Sequence, residues 1–147
     1  MIRISTRGRY ALRAMVDVAQ HEDGSPVPRR EIAERQNISA SYVAQLFREL
    51  AEAGLVEGVK GPGGGYRLAR TADGITARDV VEAVEGPLAL AECVVSEEDR
   101  PCTRIDRCAT HLLWERLSEA MTEMLAAVTL EDLRKKADEL SGQAEAG

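Results

Sequence analysis

The sequence predicts a mainly α protein: a winged helix-turn-helix with a β-hairpin wing, followed by a long C-terminal dimerisation helix. Three observations predict it. Two amphipathic segments meet at a tight turn at Asn37 and Ile38. Directly after them, the run Gly61-Pro62-Gly63-Gly64-Gly65 separates two short β-type stretches, a composition that neither helix nor strand tolerates. Near the C-terminus, Trp114, Leu117, Met121, Met124 and Val128 alternate three- and four-residue spacings, the seam of a helix that packs on another helix.

The elements follow in order. Leu12, Met15, Val16 and Ala19 recur at helical spacing within residues 5–21, with Ser5 placed as N-cap and Gly24 to Pro26 as the stop. Pro28 suits the first turn of a short second helix, whose buried stripe is Ile32 and Ala33. Ser39 or Ser41 caps a third helix with Val43, Leu46, Phe47 and Leu50 on its apolar face, and Gly54 supplies a left-handed stop. Residues 55–60 and 66–68 read as the two strands of the wing. Thr76 with Asp79 three residues later forms a capping box for a fourth helix through Val80, Val81 and Val84 to Gly86. Residues 87–109 show no sustained period. Thr110 is expected to cap the long helix, Thr129 and Asp132 the last one, and the tail from residue 141 to fray. The resulting organisation is a DNA-binding domain at 1–72, a connecting helix at 73–91, a cysteine-bearing loop at 92–111, dimerisation helices at 110–140 and a flexible tail at 141–147.

At 147 residues the chain suffices for one compact domain, or a small domain plus an oligomerisation arm. No apolar run is long enough for a membrane span or an export signal, so the chain reads as soluble and cytoplasmic. Three cysteines cannot all pair within one chain, and a reducing compartment favours thiols or metal ligands. The formal net charge of -6 is unevenly spread: residues 1–72 carry +3 and residues 73–147 carry -9. The front half is therefore the half that faces phosphate.

On the third helix, Ser39, Ser41, Tyr42, Gln45 and Arg48 turn away from the apolar stripe, offering hydroxyl, amide and guanidinium groups to a DNA major groove. Gln45 suits a bidentate contact to adenine; Arg48, further along, suits phosphate, while the second helix crosses the backbone. Arg7 and Lys60 are the expected phosphate contacts of the first helix and the wing. Pro62, Gly63 and Gly64 let bare backbone approach a phosphate chain or enter a minor groove. A nucleotide-binding glycine loop is disfavoured, because no P-loop lysine and hydroxyl follow and no helix opens after it. With aromatic residues at only 3%, stacking platforms for single strands are scarce, which favours duplex DNA. A seam of Trp114, Leu117, Met121, Met124 and Val128 exceeds what a small monomer buries alone, so a homodimer is expected to reach two major grooves of a pseudo-palindromic operator.

Cys93, Cys102, Cys108 and His111 lie within nineteen positions, separated by eight, five and two residues. Four such ligands can close around one metal centre. On the residues alone three readings stand: ordinary thiols beside a surface histidine, a structural zinc, or an iron–sulfur site. The paired Cys-x-x-Cys knuckles that zinc favours are absent. An enzyme built on a reactive thiol would need a poised base, and His21, the other histidine, lies far off in sequence.

Ser5-Thr6-Arg7-Gly8-Arg9-Tyr10-Ala11, Ser41-Tyr42-Val43-Ala44-Gln45-Leu46-Phe47, Lys60-Gly61-Pro62-Gly63-Gly64-Gly65-Tyr66 and Cys108-Ala109-Thr110-His111-Leu112-Leu113-Trp114 together resemble the IscR family of iron–sulfur cluster regulators, over roughly residues 1–140. The resemblance implies a homodimeric winged-helix regulator, repressor or activator, that binds a 2Fe-2S cluster and controls cluster-biogenesis genes. It also implies that Cys93, Cys102, Cys108 and His111 are the ligands, making 92–111 a cluster-binding loop. Nitric oxide sensors of the NsrR type share the architecture, but their histidine position is not matched. This chain departs from the family pattern in a longer first cysteine interval around Glu97, Glu98 and Asp99, and in Ala44 and Lys60 where glutamate and arginine are familiar. A methyl group at Ala44 contacts thymine or nothing, which predicts a different preferred operator.

Overall fold

The computed structural model describes residues 1–95 and 102–146. The lengthened interval at Glu97 to Asp99 and the terminal Gly147 lie outside the described residues. The architecture is the predicted one, with six α-helices and one two-stranded antiparallel hairpin among the described residues: α1 Thr6–His21, α2 Arg29–Gln36, α3 Ala40–Glu52, β1 Val56–Val59, β2 Gly65–Leu68, α4 Ala77–Glu85, α5 Ala109–Ala126 and α6 Leu130–Ala146. Short 3-10 turns occupy Ala72–Gly74, Glu92–Val94 and Ile105–Arg107.

Local chemistry sets most boundaries. The Ser5 hydroxyl accepts from the Gly8 amide, and Ser39, rather than Ser41, caps α3 by accepting from Tyr42 N–H at 3.1 Å. Asn37 ends α2 in the left-handed region at φ 55°, and Gly54 takes φ 75° after α3. Thr76 and Asp79 form both bonds of the capping box, 3.1 and 2.9 Å, and Thr129 and Asp132 form the same pair at 3.1 and 2.9 Å before α6. Two expectations change. α5 begins at Ala109 with Cys108 as its cap, because Cys108 holds the extended backbone, φ -105° and ψ 107°; the Thr110 hydroxyl turns instead to the Cys108 sulfur. The tail is helical to Ala146, since Gln143, Ala144 and Glu145 are good helix formers and a single exposed Gly142 costs too little to stop them.

Phe47, Met15, Ile32, Leu46 and Leu50 centre a core that α1, α2, α3 and α4 enclose. The wing is anchored to this core in two ways. Tyr66 of β2 exchanges both backbone hydrogen bonds with Val27, at 2.8 and 2.9 Å, and its ring stacks on Phe47 with centroids 4.3 Å apart. Only glycine fits before it, because a Cβ on Gly65 would overlap the Val27 carbonyl. Burying Phe47 contributes about 1.5–3 kcal/mol, against about 0–1 kcal/mol for the half-exposed Arg67–Glu57 pair across the strands. Packing therefore fixes the wing on α3, and the ion pair does not.

Beyond the wing, Ala77 N–H donates to Val128 O and Leu130 N–H to Ile75 O, both 2.8 Å. This stitch joins the end of α5 to the segment leaving β2. α6 lies on α1, whereas α5 packs on α4 and the Glu92–Val94 turn.

Candidate functional site

The α2–α3 pair presents the polar face that the sequence predicts. Ser39, Ser41, Gln45 and Arg48 are exposed, with Val43, Leu46, Phe47 and Leu50 facing inward. Gln45 and Arg48 make no side-chain hydrogen bond or ion pair among the described residues, so both heads are available to an external partner. Tyr42 is half-buried, its ring set edge-on against Tyr10 at 6.0 Å; it both packs α3 on α1 and borders the exposed face. Replacing Gln45 by alanine is expected to cost about 1–3 kcal/mol on the preferred duplex and little on random DNA. Fluorescence anisotropy on both duplexes checks this, and equal losses would assign Gln45 to positioning alone.

Arg7, expected as a phosphate contact, is ion-paired within the chain. Its guanidinium pairs with Glu49 on α3 and reaches the Val84 carbonyl at the end of α4. A phosphate would have to displace that carboxylate, so Arg7 serves first to hold α3 against α1 and α4. On the wing, Lys60, Pro62 and Gly63 are exposed. Gly64 is half-buried and closes the turn by donating to Gly61 O at 2.9 Å; a Cβ there would overlap the Val59 carbonyl.

Arg29 and Arg30, which the sequence reading passed over, line a cleft of about 620 Å³ together with Lys60 and the wing glycines. A pair of consecutive arginines on the first turn of the helix expected to cross the backbone was the available signal.

The prospective metal ligands are placed unequally. Cys108 caps α5 and His111 lies in its first turn, so these two stand together: His111 N–H donates to Cys108 O at 3.2 Å. The Thr110 hydroxyl, 3.2 Å from the sulfur, then the His111 amide and the nearby Arg104 charge hold the Cys108 thiol below its usual pKa, favouring the thiolate that ligates metals. His111 Nδ1 is buried without a hydrogen-bond partner, the one such side-chain atom among the described residues. Cys93, half-buried, sits in the Glu92–Val94 turn that packs on α5, and Cys102 is exposed; all three thiols are free. Among the described residues no three His, Cys, Asp or Glu side chains converge on one point. The donor chemistry nevertheless fits a soft metal centre: a thiolate-favouring cysteine, two more thiols and an imidazole nitrogen that burial has left unsatisfied.

A helix-turn-helix with an anchored wing and an open polar recognition face defines a winged-helix DNA-binding protein. The chain belongs to the Rrf2 family of iron-dependent transcriptional regulators, whose profile matches residues 4–136. It is 45% identical over 139 residues to the HTH-type transcriptional regulator IscR of Xenorhabdus nematophila, covering 95% of this chain and 83% of that one. It is likewise 45% identical over 132 residues to the IscR of Photorhabdus laumondii, covering 90% and 79%. Among solved structures, T. potens IscR superposes with a TM-score of 0.75 at 36% identity, over 95% of this chain and 90% of that one. CymR, the global cysteine regulator of B. subtilis, superposes with a TM-score of 0.73 at 38% identity, over 92% and 98%. The chain is a DNA-binding transcriptional regulator and not an enzyme. Among the described residues no helix is long and apolar enough to cross a membrane.

Proposed function

We propose that the chain is a cluster-sensing regulator: a homodimer that binds a pseudo-palindromic operator and controls iron–sulfur cluster biogenesis genes according to a 2Fe-2S cluster held by Cys93, Cys102, Cys108 and His111. The buried, unpartnered His111 Nδ1 beside Cys108 carries the reading. Leaving a polar nitrogen buried without a partner costs about 1–3 kcal/mol, and a ligand that accepts its lone pair removes that cost. The 45% identity to proteins named IscR supports the choice of signal, since the fold also serves a regulator named for cysteine.

When bound, the cluster supplies a redox-sensitive centre whose presence changes the charge at the start of α5. The protein's part is to hold the ligands and carry their position to the DNA face. Cys108 and His111 are rigidly related through the first turn of α5, while Cys93 approaches from the Glu92–Val94 turn packed on the same helix. The buried Ser118 hydroxyl accepts from Leu90 N–H at 3.0 Å, tying the segment before Cys93 to the middle of α5. Just past its end, Val128 O accepts from Ala77 N–H and Leu130 N–H, at the start of α6, donates to Ile75 O, joining this region to the segment that follows β2. A shift of the ligands thus has a continuous packed route to the winged helix.

Anaerobic purification of the full chain tests the proposal. The expected product is coloured and contains about two iron and two sulfide per chain, and Cys108→Ala loses both while still binding duplex DNA. A colourless preparation holding zinc without sulfide would replace the cluster with a structural zinc.

A further inference from the structure

We propose that Arg29 and Arg30, together with Lys60, form a phosphate clamp that grips the DNA strand lying between the major groove read by α3 and the minor groove approached by the wing. The inference rests on the duplex-DNA reading above, in which Lys60 is already an expected phosphate contact, and adds Arg29 and Arg30 to it.

The cleft between α2, the start of α3 and the wing is bordered by Arg29, Arg30, Ala40, Lys60, Gly64 and Tyr66, and among the described residues no carboxylate lines it. Its position follows from duplex geometry. A helix in one groove and a loop in the next straddle a single sugar–phosphate strand, so phosphates must pass through the gap between them. Here that gap holds three cations. Its width is set by the Val27–Tyr66 backbone bonds and the Phe47–Tyr66 stack, so the cations are presented on a rigid frame. Arg29 and Lys60 make no ion pair among the described residues, and Arg30 has only its exposed i,i+4 neighbour Glu34, at 3.3 Å, a fully solvated pair that a phosphate can displace. The planar guanidinium matches two phosphate oxygens at once. Pro28, at the N-cap of α2, offers no side-chain acceptor, and among the described residues only the Arg29 and Arg30 amides of the first turn are left for an external one, since Glu31 N–H donates to Pro28 O.

The test uses the full chain and a labelled duplex selected in vitro from random sequence, with affinity followed across a salt series. Arg29→Ala/Arg30→Ala should lower the slope of log affinity against log salt by about one to two. The loss should be the same fold on the selected and on a random duplex, and thermal melting should be unchanged, since both side chains are exposed. A neutral methylphosphonate placed on the strand between the two grooves should reproduce the loss in wild type and add nothing in the variant. An unchanged slope on a duplex that wild type binds would overturn the clamp alone. So would a loss confined to the selected sequence, or inorganic phosphate binding the free protein through the same arginines at constant ionic strength, which would make the site one for a free anion. If wild type bound no duplex, the DNA reading itself would fall, and the clamp with it.

Discussion

Leu117→Glu combined with Met124→Glu is expected to give a folded monomer that has lost its grip on a two-half-site operator. The structure divides the seam read from the sequence into two strips. Trp114, Met121 and Val128 are half-buried against the protein's own body around Ser118, which is 3% exposed. Leu113, Leu117 and Met124 stand out at 54%, 42% and 64%, spaced four and seven residues apart down one side of α5. An apolar cleft of about 610 Å³, bordered by Ile2, Ile4, Leu88, Met121, Met124 and Leu125, continues this surface. So much apolar area on one helix of a small protein is a surface for association, and a second copy of α5 is the occupant that the proposed dimer supplies. Because Leu117 and Met124 are exposed in the single chain, glutamates there leave its core alone. In a dimer they bury unpaired carboxylates, at several kcal/mol. Linking two half-site contacts raises avidity by about 10²–10⁴, and that factor should vanish with the dimer. Sedimentation and operator binding measured together check this; a variant that sediments as a dimer would place the interface elsewhere. Met121→Glu is the poorer probe, since Met121 is half-buried against the chain's own body and its loss confuses folding with assembly, whereas Met124, though it borders the same cleft, is 64% exposed.

Arg35→Ala should destabilise the winged helix by about 3–5 kcal/mol, because it takes two of three side-chain hydrogen bonds and the charge partner from a buried carboxylate. Asp17 on α1 is 0% exposed. It accepts from Arg35 Nε and Nη2 at 2.9 and 2.8 Å, and from Gln36 Nε2 at 2.9 Å, all from the end of α2. Arg13 adds a bond to the Gln36 carbonyl at 2.6 Å. The hydrogen bonds to Asp17 raise the pKa of Arg35 further, so the guanidinium stays charged across the working range of pH. For a chain of this size the loss corresponds to a melting temperature lower by roughly 6–20 °C. Arg35→Met with Asp17→Leu should recover most of the loss, since it removes the buried carboxylate together with the partly exposed guanidinium that pairs with it. Thermal melting of the three proteins decides it. A drop under about 0.5 kcal/mol in Arg35→Ala, typical of a surface site, would show that water reaches the Asp17 carboxylate. The pair matters to function because it ties the end of α2, the helix before α3, to α1.

The sequence by itself determined the order of elements and most of their ends. Caps are local chemistry: Ser5, Ser39, Thr76 with Asp79 and Thr129 with Asp132 act on amides two or three residues away, so their identity and spacing suffice. The recognition face was legible for the same reason, since a 3.6-residue period separates Val43, Leu46, Phe47 and Leu50 from Ser41, Gln45 and Arg48 without reference to the rest of the chain. The cysteine and histidine spacing carries the proposed ligand set, to which tertiary packing adds the buried state of His111 Nδ1. What only the tertiary structure decided depends on partners distant in sequence. Arg7 reads as a free cation until Glu49 is brought beside it, forty-two residues away. Asp17 reads as an exposed helix residue until Arg35 folds over it. Arg29 and Arg30 become a cleft only when Tyr66 bonds to Val27 and draws the wing alongside α2. The apolar seam divides into two strips because α5 packs on α4 and the Glu92–Val94 turn, with Met121 beside Leu88 and Leu90, and periodicity along one helix records which residues are apolar, not which neighbour covers them.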